Sequence, residues 1–116
     1  MKYFIKDKDR KGTCYYEFYK GKWDGESSWK TDSILLQDDI VFQNEEFIDA
    51  ILEVVPSYNP FGETEISNVE WKAIGQFIEL KNTTVREIYF EADEWLQEVF
   101  KEYDCFTILG IRLEQE

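Results

Sequence analysis

Cys105-Phe-Thr-Ile-Leu-Gly-Ile111 is the stretch that decides the fold, because it is apolar over almost all of its length. A run of this kind is typical of a strand that is covered on both faces or central in its sheet. It follows the longest helical pattern in the chain, in which apolar residues recur at three- and four-residue spacing from Ile88 to Tyr103. The C-terminal part is therefore predicted to be a long helix that leads into the middle of a sheet.

Two capping boxes mark helix starts before that strand. Ser67-Asn-Val-Glu70 and Thr84-Val-Arg-Glu87 both place a hydroxyl residue three positions before a glutamate, so that each side chain can bond the backbone amide of the other residue. We predict a helix from each box, the second running to about Glu102. The apolar residues expected on the buried face of the first helix are Trp71, Ile74, Phe77 and Ile78.

The N-terminal part carries strand patterns. Lys2–Lys8 alternates, with Tyr3 and Ile5 on one face and Phe4 beside the lysines on the other. Cys14–Tyr19 is rich in aromatic residues and is predicted to form a hairpin with that first strand. Three more short strands are predicted at Ser28–Thr31, Ile34–Leu36 and Ile40–Phe42. The order predicts a single α+β domain over residues 1–116, with a mainly antiparallel sheet and about three helices on one face.

Charge is distributed unevenly along the chain. Between Thr31 and Trp71 there are ten Asp and Glu residues and no Lys or Arg, whereas the first 30 residues sum to +3 and the last 45 to −5, which gives the net charge of −12. Clustered like charge raises the free energy of the compact state by self-repulsion. Nucleic acid and anionic membranes repel such a protein, so neither is an expected partner. The charge serves either solubility alone or a basic protein partner.

Helical spacing concentrates part of this charge on one face. Glu45–Val54 is predicted to be an amphipathic helix with Asn44 as its N-cap and acidic residues at spacing four on the polar side. No lysine is interspersed, so this face is either solvated surface or a comb of carboxylates for Arg and Lys side chains of a partner. The apolar face is expected to comprise Phe47, Ile48, Ile51, Leu52 and Val55.

Candidate partner-binding residues follow from this acidic segment and from the loop Ser57–Gly62. Aromatic residues are over-represented among those that dominate binding energy, so two aromatic residues of the loop join the set. The set comprises Asp38, Asp39, Glu45, Glu46, Asp49, Glu53, Tyr58 and Phe61. A second candidate set on the long helix comprises Glu87, Glu91, Glu94 and Glu98.

Several chemistries lack their usual residues. The chain has no histidine, which is the commonest general base and metal ligand. Cys14 and Cys105 lack zinc-ligand spacing and are predicted to be buried free thiols, unless their strands are neighbours and let them pair. We therefore predict a protein that is not an enzyme and has no metal or cofactor.

No signal-peptide pattern or membrane-spanning run is visible, which predicts a cytoplasmic location.

The ending Glu91-Ala-Asp-Glu-Trp-Leu96, followed by the strand Cys105–Ile111, resembles the end of some immunity proteins of bacterial polymorphic toxin and contact-dependent growth inhibition systems. The small size, acidity and aromatic content are similar as well. The resemblance implies a protein that binds and blocks one cognate toxin, often a nuclease with a basic active site.

Two alternatives stay open. The same charge would suit a DNA mimic that inhibits a restriction enzyme or another DNA-binding enzyme, which requires carboxylates spaced along an elongated surface. A small enzyme or ligand-binding domain that works through carboxylates and tyrosine requires a closed pocket with two acidic groups of strongly shifted pKa.

Overall fold

The structure, a computed structural model, describes residues 1–111 and has the α+β class predicted above. Five strands form one antiparallel sheet in the order β1-β3-β2-β5-β4. The strands are β1 (Phe4–Ile5), β2 (Tyr15–Lys20), β3 (Ile34–Gln37), β4 (Glu63–Ser67) and β5 (Cys105–Leu109). The helices are α1 (Asp38–Gln43), α2 (Glu45–Val54), α3 (Asn68–Ile78) and α4 (Thr83–Val99), with a 3₁₀ turn at Asp7–Asp9. None of these described helices has the length and apolar character needed to cross a bilayer.

The prediction that the strand at Cys105–Ile111 is central is confirmed, because β5 lies between β2 and β4. Phe106 and Ile108 point into a core shared with the helices, where Phe106 stacks on Phe18 and meets the edge of Trp71. Thr107, which has the opposite orientation along the strand, is also buried. The apolar run reflects this burial on both faces.

The connection between β2 and β3 contacts side chains on the second face of the sheet, and residues 28–31 in it form no strand, so the prediction at Ser28–Thr31 is wrong. This connection satisfies the fully buried carboxylate of Glu17, which accepts from Trp29 N at 2.7 Å, Lys30 N at 3.0 Å and Ser33 Oγ at 2.7 Å. A buried carboxylate is costly without such donors, so Glu17 holds the connection against the sheet.

The predicted N-terminal hairpin is also wrong. β1 pairs with β3, with Phe4 opposite Leu36, and β3 separates β1 from β2. Phe4 is only 1% exposed and belongs to the core, whereas Tyr3 and Ile5 are half-buried. The physical reason is the almost complete burial of Ile34–Leu36, which makes β3 an interior strand with a neighbour on each side.

Residues 1–111 contain four helices where about three were predicted, because Ile40–Phe42 belongs to α1 rather than to a strand. The helix predicted at Glu45–Val54 is confirmed, although Leu52 is 39% exposed. The Asn44 side chain does not cap α2 but donates from Nδ2 to Ile40 O at 2.8 Å, at the end of α1.

The first predicted capping box, Ser67 with Glu70, is confirmed. The second is wrong, because Asn82 is the N-cap of α4 and its Oδ1 accepts from Val85 N at 3.0 Å. Phe77 on α3 was predicted to lie on the buried face of its helix, but it is 37% exposed.

Both cysteines are free. Cys14 is exposed and Cys105 half-buried, which corrects the prediction of two buried thiols. β2 and β5 are neighbours, but their antiparallel register pairs Lys20 with Phe106 and so places Cys14 and Cys105 at opposite ends of the pair.

Candidate functional site

An open groove of about 540 Å³ brings together five of the predicted partner-binding residues. We call it the acidic groove. Its predicted members are Asp38, Asp39, Glu45, Asp49 and Phe61, and the residues that complete its lining are Tyr16, Val41, Phe42, Ile48, Pro60 and Ile111. The lining therefore combines four carboxylates with a largely apolar remainder.

Helices α1 and α2 position the four carboxylates. Asp38 and Asp39 lie in the first turn of α1, and Glu45 lies in the first turn of α2, two residues after α1 ends at Gln43. Carboxylates are favourable at these helix starts because of the helix dipole. Asp49 follows Glu45 by one turn on α2, and neither helix has a basic residue to offset it.

The groove carboxylates are uncompensated within the described chain. None of the side chains of Asp38, Asp39, Glu45 and Asp49 forms a hydrogen bond or ion pair with another residue of 1–111. No Lys or Arg in that range lines the groove. Like charges at spacing four on a helix are destabilising, so the pair Glu45 and Asp49 weakens α2 rather than stabilising it.

Two phenylalanines give the groove exposed aromatic walls. Phe42 is 77% exposed and Phe61 is 68% exposed. Phe42 was predicted as part of a strand and was missed as a candidate. A helix over 38–43 would have indicated it, because positions three and four apart place Phe42 on the same face as Asp39 and Asp38.

The loop that carries Phe61 is tightly held. Phe61 N donates to Asn59 Oδ1 at 3.0 Å, Asn59 N donates to Thr64 Oγ1 at 3.0 Å, and Ile111 N donates to Pro60 O at 2.9 Å. Gly110 lies so close to this loop that a Cβ there would overlap the carbonyl group of Pro60. The exposure of Phe61 is therefore imposed by a fixed backbone.

Tyr58 is not a surface residue, which corrects its prediction as a partner-binding residue. It is 6% exposed and part of the core, and its hydroxyl has no hydrogen-bond partner in the described chain. Burial, with a smaller effect of nearby Tyr16, raises the pKa of Tyr58. Burial and the charge of Asp38 raise the pKa of Tyr16, which lines the groove. Tyr58 thus belongs to the core, in the loop that leads to Phe61.

The other acidic residues between Thr31 and Trp71 do not share this surface, so the segment as a whole is not one docking face. Glu46 and Glu53 are exposed on α2 but do not line the groove. Asp32 approaches Lys20 at 3.7 Å, and Glu70 completes the capping box of α3. The site is therefore narrower than the segment.

The second candidate set, on α4, mostly serves the fold. Glu91 accepts three backbone hydrogen bonds, from the amides of Lys2, Tyr3 and Phe4 at 2.7–2.8 Å. The hydroxyl of Tyr3 donates to Glu87 at 2.6 Å and, with the charge of Lys2, lowers the pKa of Glu87. Of the other two glutamates in the set, Glu98 pairs with Lys101 at 3.0 Å and Glu94 is exposed.

Comparison of the chain with family models, curated proteins and solved structures gives no match.

Proposed function

We propose that the chain is a non-enzymatic immunity protein that binds a cognate cationic toxin, with a nuclease as the expected class, and blocks it through the acidic groove. The observation that carries this proposal is the group of four carboxylates that have no partner within residues 1–111, beside the exposed rings of Phe42 and Phe61. A nuclease binds phosphates and so has a basic cleft, which carboxylates can occupy in place of the substrate. The proposed site of action is the bacterial cytoplasm.

The negative charge of the groove would speed association with a cationic toxin. Complementary charge raises association rates towards about 10⁸–10⁹ M⁻¹s⁻¹ at low salt. Fast capture matters where one free toxin molecule damages the cell. Self-repulsion among the groove carboxylates in the free protein is relieved when cations of the partner enter, which favours the complex further.

The aromatic walls favour this function over DNA mimicry. A DNA mimic needs carboxylates along an elongated surface, whereas this chain measures 41 × 31 × 27 Å along its principal axes and gathers only four carboxylates in the groove. Exposed aromatic side chains contribute to protein recognition and are not needed to imitate phosphates.

The test has two stages. Affinity capture with the tagged chain from extracts of the native cells identifies the partner, and the captured protein is then expressed alone and together with the chain in a host bacterium. We expect a basic protein that arrests growth alone and is neutralised by the chain. A partner that is not basic, or whose toxicity the chain does not relieve, would exclude the proposal.

A matched pair of charge reversals locates the surface. Asp39→Lys with Asp49→Lys should slow association with the captured toxin by about 10- to 100-fold at low salt. Glu46→Lys with Glu53→Lys changes the net charge equally but lies outside the groove, so it should slow association far less. Equal slowing by both pairs would show that net charge, and not the groove, governs binding.

A further inference from the structure

We propose that the acidic groove selects arginine over lysine, and that its occupant is an arginine-bearing segment of the toxin with an apolar residue beside the arginine. This rests on the proposed function and names the chemistry that the groove recognises. The segment would place a guanidinium against a groove carboxylate and an exposed phenylalanine ring at the same time.

The combination of charged and aromatic groups carries the selectivity. Carboxylates alone attract any cation, and lysine is a compact, strongly hydrated point charge that needs nothing more. A guanidinium is planar and weakly hydrated, binds carboxylates through two parallel hydrogen bonds and stacks on aromatic rings. Phe42 and Phe61 are the aromatic groups exposed at this groove, at 77% and 68%, so they offer a contact that arginine uses better.

The apolar part of the lining indicates that the groove does more than expose charge to solvent. Val41, Ile48 and Tyr16 lie in the groove beside the carboxylates. They provide a surface on which the aliphatic stem of an arginine and a neighbouring apolar side chain can lose water.

The test uses two fluorescein-labelled nine-residue peptides in which leucine alternates with either arginine or lysine. Fluorescence anisotropy at low salt should show the arginine peptide binding about five- to tenfold more tightly. Phe42→Ala with Phe61→Ala should reduce this ratio to about one to two, because cation–ring contacts are lost while charge attraction remains. Phe77→Ala with Phe90→Ala, which removes two exposed rings on α3 and α4, is the matched control and should keep the ratio.

Several results would overturn the inference. These are absence of binding by both peptides, equal affinities for them in the unaltered chain, or loss of selectivity in the control variant. Tighter arginine-peptide binding by Arg112→Ala would assign the groove to the chain's own residue that follows Ile111. A dimer in sedimentation that requires Phe42 and Phe61 would assign it to a second copy.

Failure of this inference and failure of the proposed function are separable. Neutralisation of a basic toxin with no arginine preference would refute the inference alone. Arginine preference in a chain whose captured partner is not a toxin would refute the function alone.

Discussion

The acidic groove and the acidic face of α4 carry the same residue types but use them in opposite ways. On α4, Glu91 binds three backbone amides of the N-terminal segment and Glu87 binds the hydroxyl of Tyr3. In the groove, the four carboxylates bind no group of the described chain. An acidic stripe on a helix is therefore not sufficient evidence of a binding site. A stripe becomes a candidate site when the fold leaves its charges without partners.

The two regions therefore contribute differently to the free energy of unfolding. Hydrogen bonds to a charged group contribute about 1.5–3 kcal/mol each, so the backbone hydrogen bonds that Glu91 accepts stabilise the N-terminal segment. Like charges four residues apart on α2 cost a few tenths of a kcal/mol per pair. Binding sites commonly accept such a loss because their groups are arranged for a partner.

The largest expected effect is on the groove wall. Gly110→Ala should lower the free energy of unfolding by about 2–3 kcal/mol, because the new Cβ overlaps the carbonyl group of Pro60 and forces backbone to move. Gly12→Ala is the matched control, since its φ of +89° is strained but no atom lies within 4 Å of the new Cβ. It should cost about 1 kcal/mol, from backbone strain alone. Urea denaturation that gives equal losses would contradict the close approach of the Pro60 loop to β5.

A smaller effect is expected in the core, at Tyr58. Tyr58→Phe should raise the free energy of unfolding by up to about 1 kcal/mol, because it removes a buried hydroxyl that has no hydrogen-bond partner. Tyr89→Phe is the control, since the hydroxyl of Tyr89 donates to Trp71 O at 2.9 Å and its loss should destabilise. Thermal unfolding of both variants measures the difference. Destabilisation by Tyr58→Phe comparable to that of the control would show that its hydroxyl is satisfied.

The smallest effect concerns titration on α4. Hydrogen bonding from Tyr3, followed by the charge of Lys2, lowers the pKa of Glu87. A lowered pKa in the folded state means that this contribution to stability is present above the ordinary glutamate pKa of about 4.3 and is lost as the pH falls through the folded-state value. Tyr3→Phe should move the pKa of Glu87 back towards its ordinary value in a carbon-detected NMR titration. An unchanged pKa would show that the Tyr3 contact does not form in solution.

Local patterns predicted the elements that local chemistry determines. The capping box at Ser67, the amphipathic helix at Glu45–Val54 and the apolar strand β5 each depend on neighbours within a few residues, and all three are confirmed. Local patterns do not predict that β1 lies beside β3, because the order of strands in a sheet depends on contacts between residues that are far apart in the sequence.

The candidate site also combines features that local sequence predicts with features that depend on long-range contacts. Helical spacing identified Glu45 and Asp49, but not the return of Ile111 and the Pro60 loop to the same groove, which is a long-range contact. Phe42 was missed because its β-branched neighbours favour a strand in isolation. Tyr58 was misplaced because loop residues are expected at the surface, whereas this one fills the core.

The decisive comparison is Asp49→Asn with Glu91→Gln, because we propose that the groove carboxylates serve a partner whereas Glu91 on α4 stabilises the fold. Each change removes one negative charge and keeps the number of non-hydrogen atoms, and both are measured by urea unfolding at low salt. We predict that Asp49→Asn raises the free energy of unfolding by about 0.5 kcal/mol, through relief of repulsion with Glu45 and Glu53, and that Glu91→Gln lowers it by about 1–2 kcal/mol. A loss of stability in Asp49→Asn as large as that in Glu91→Gln would contradict the claim.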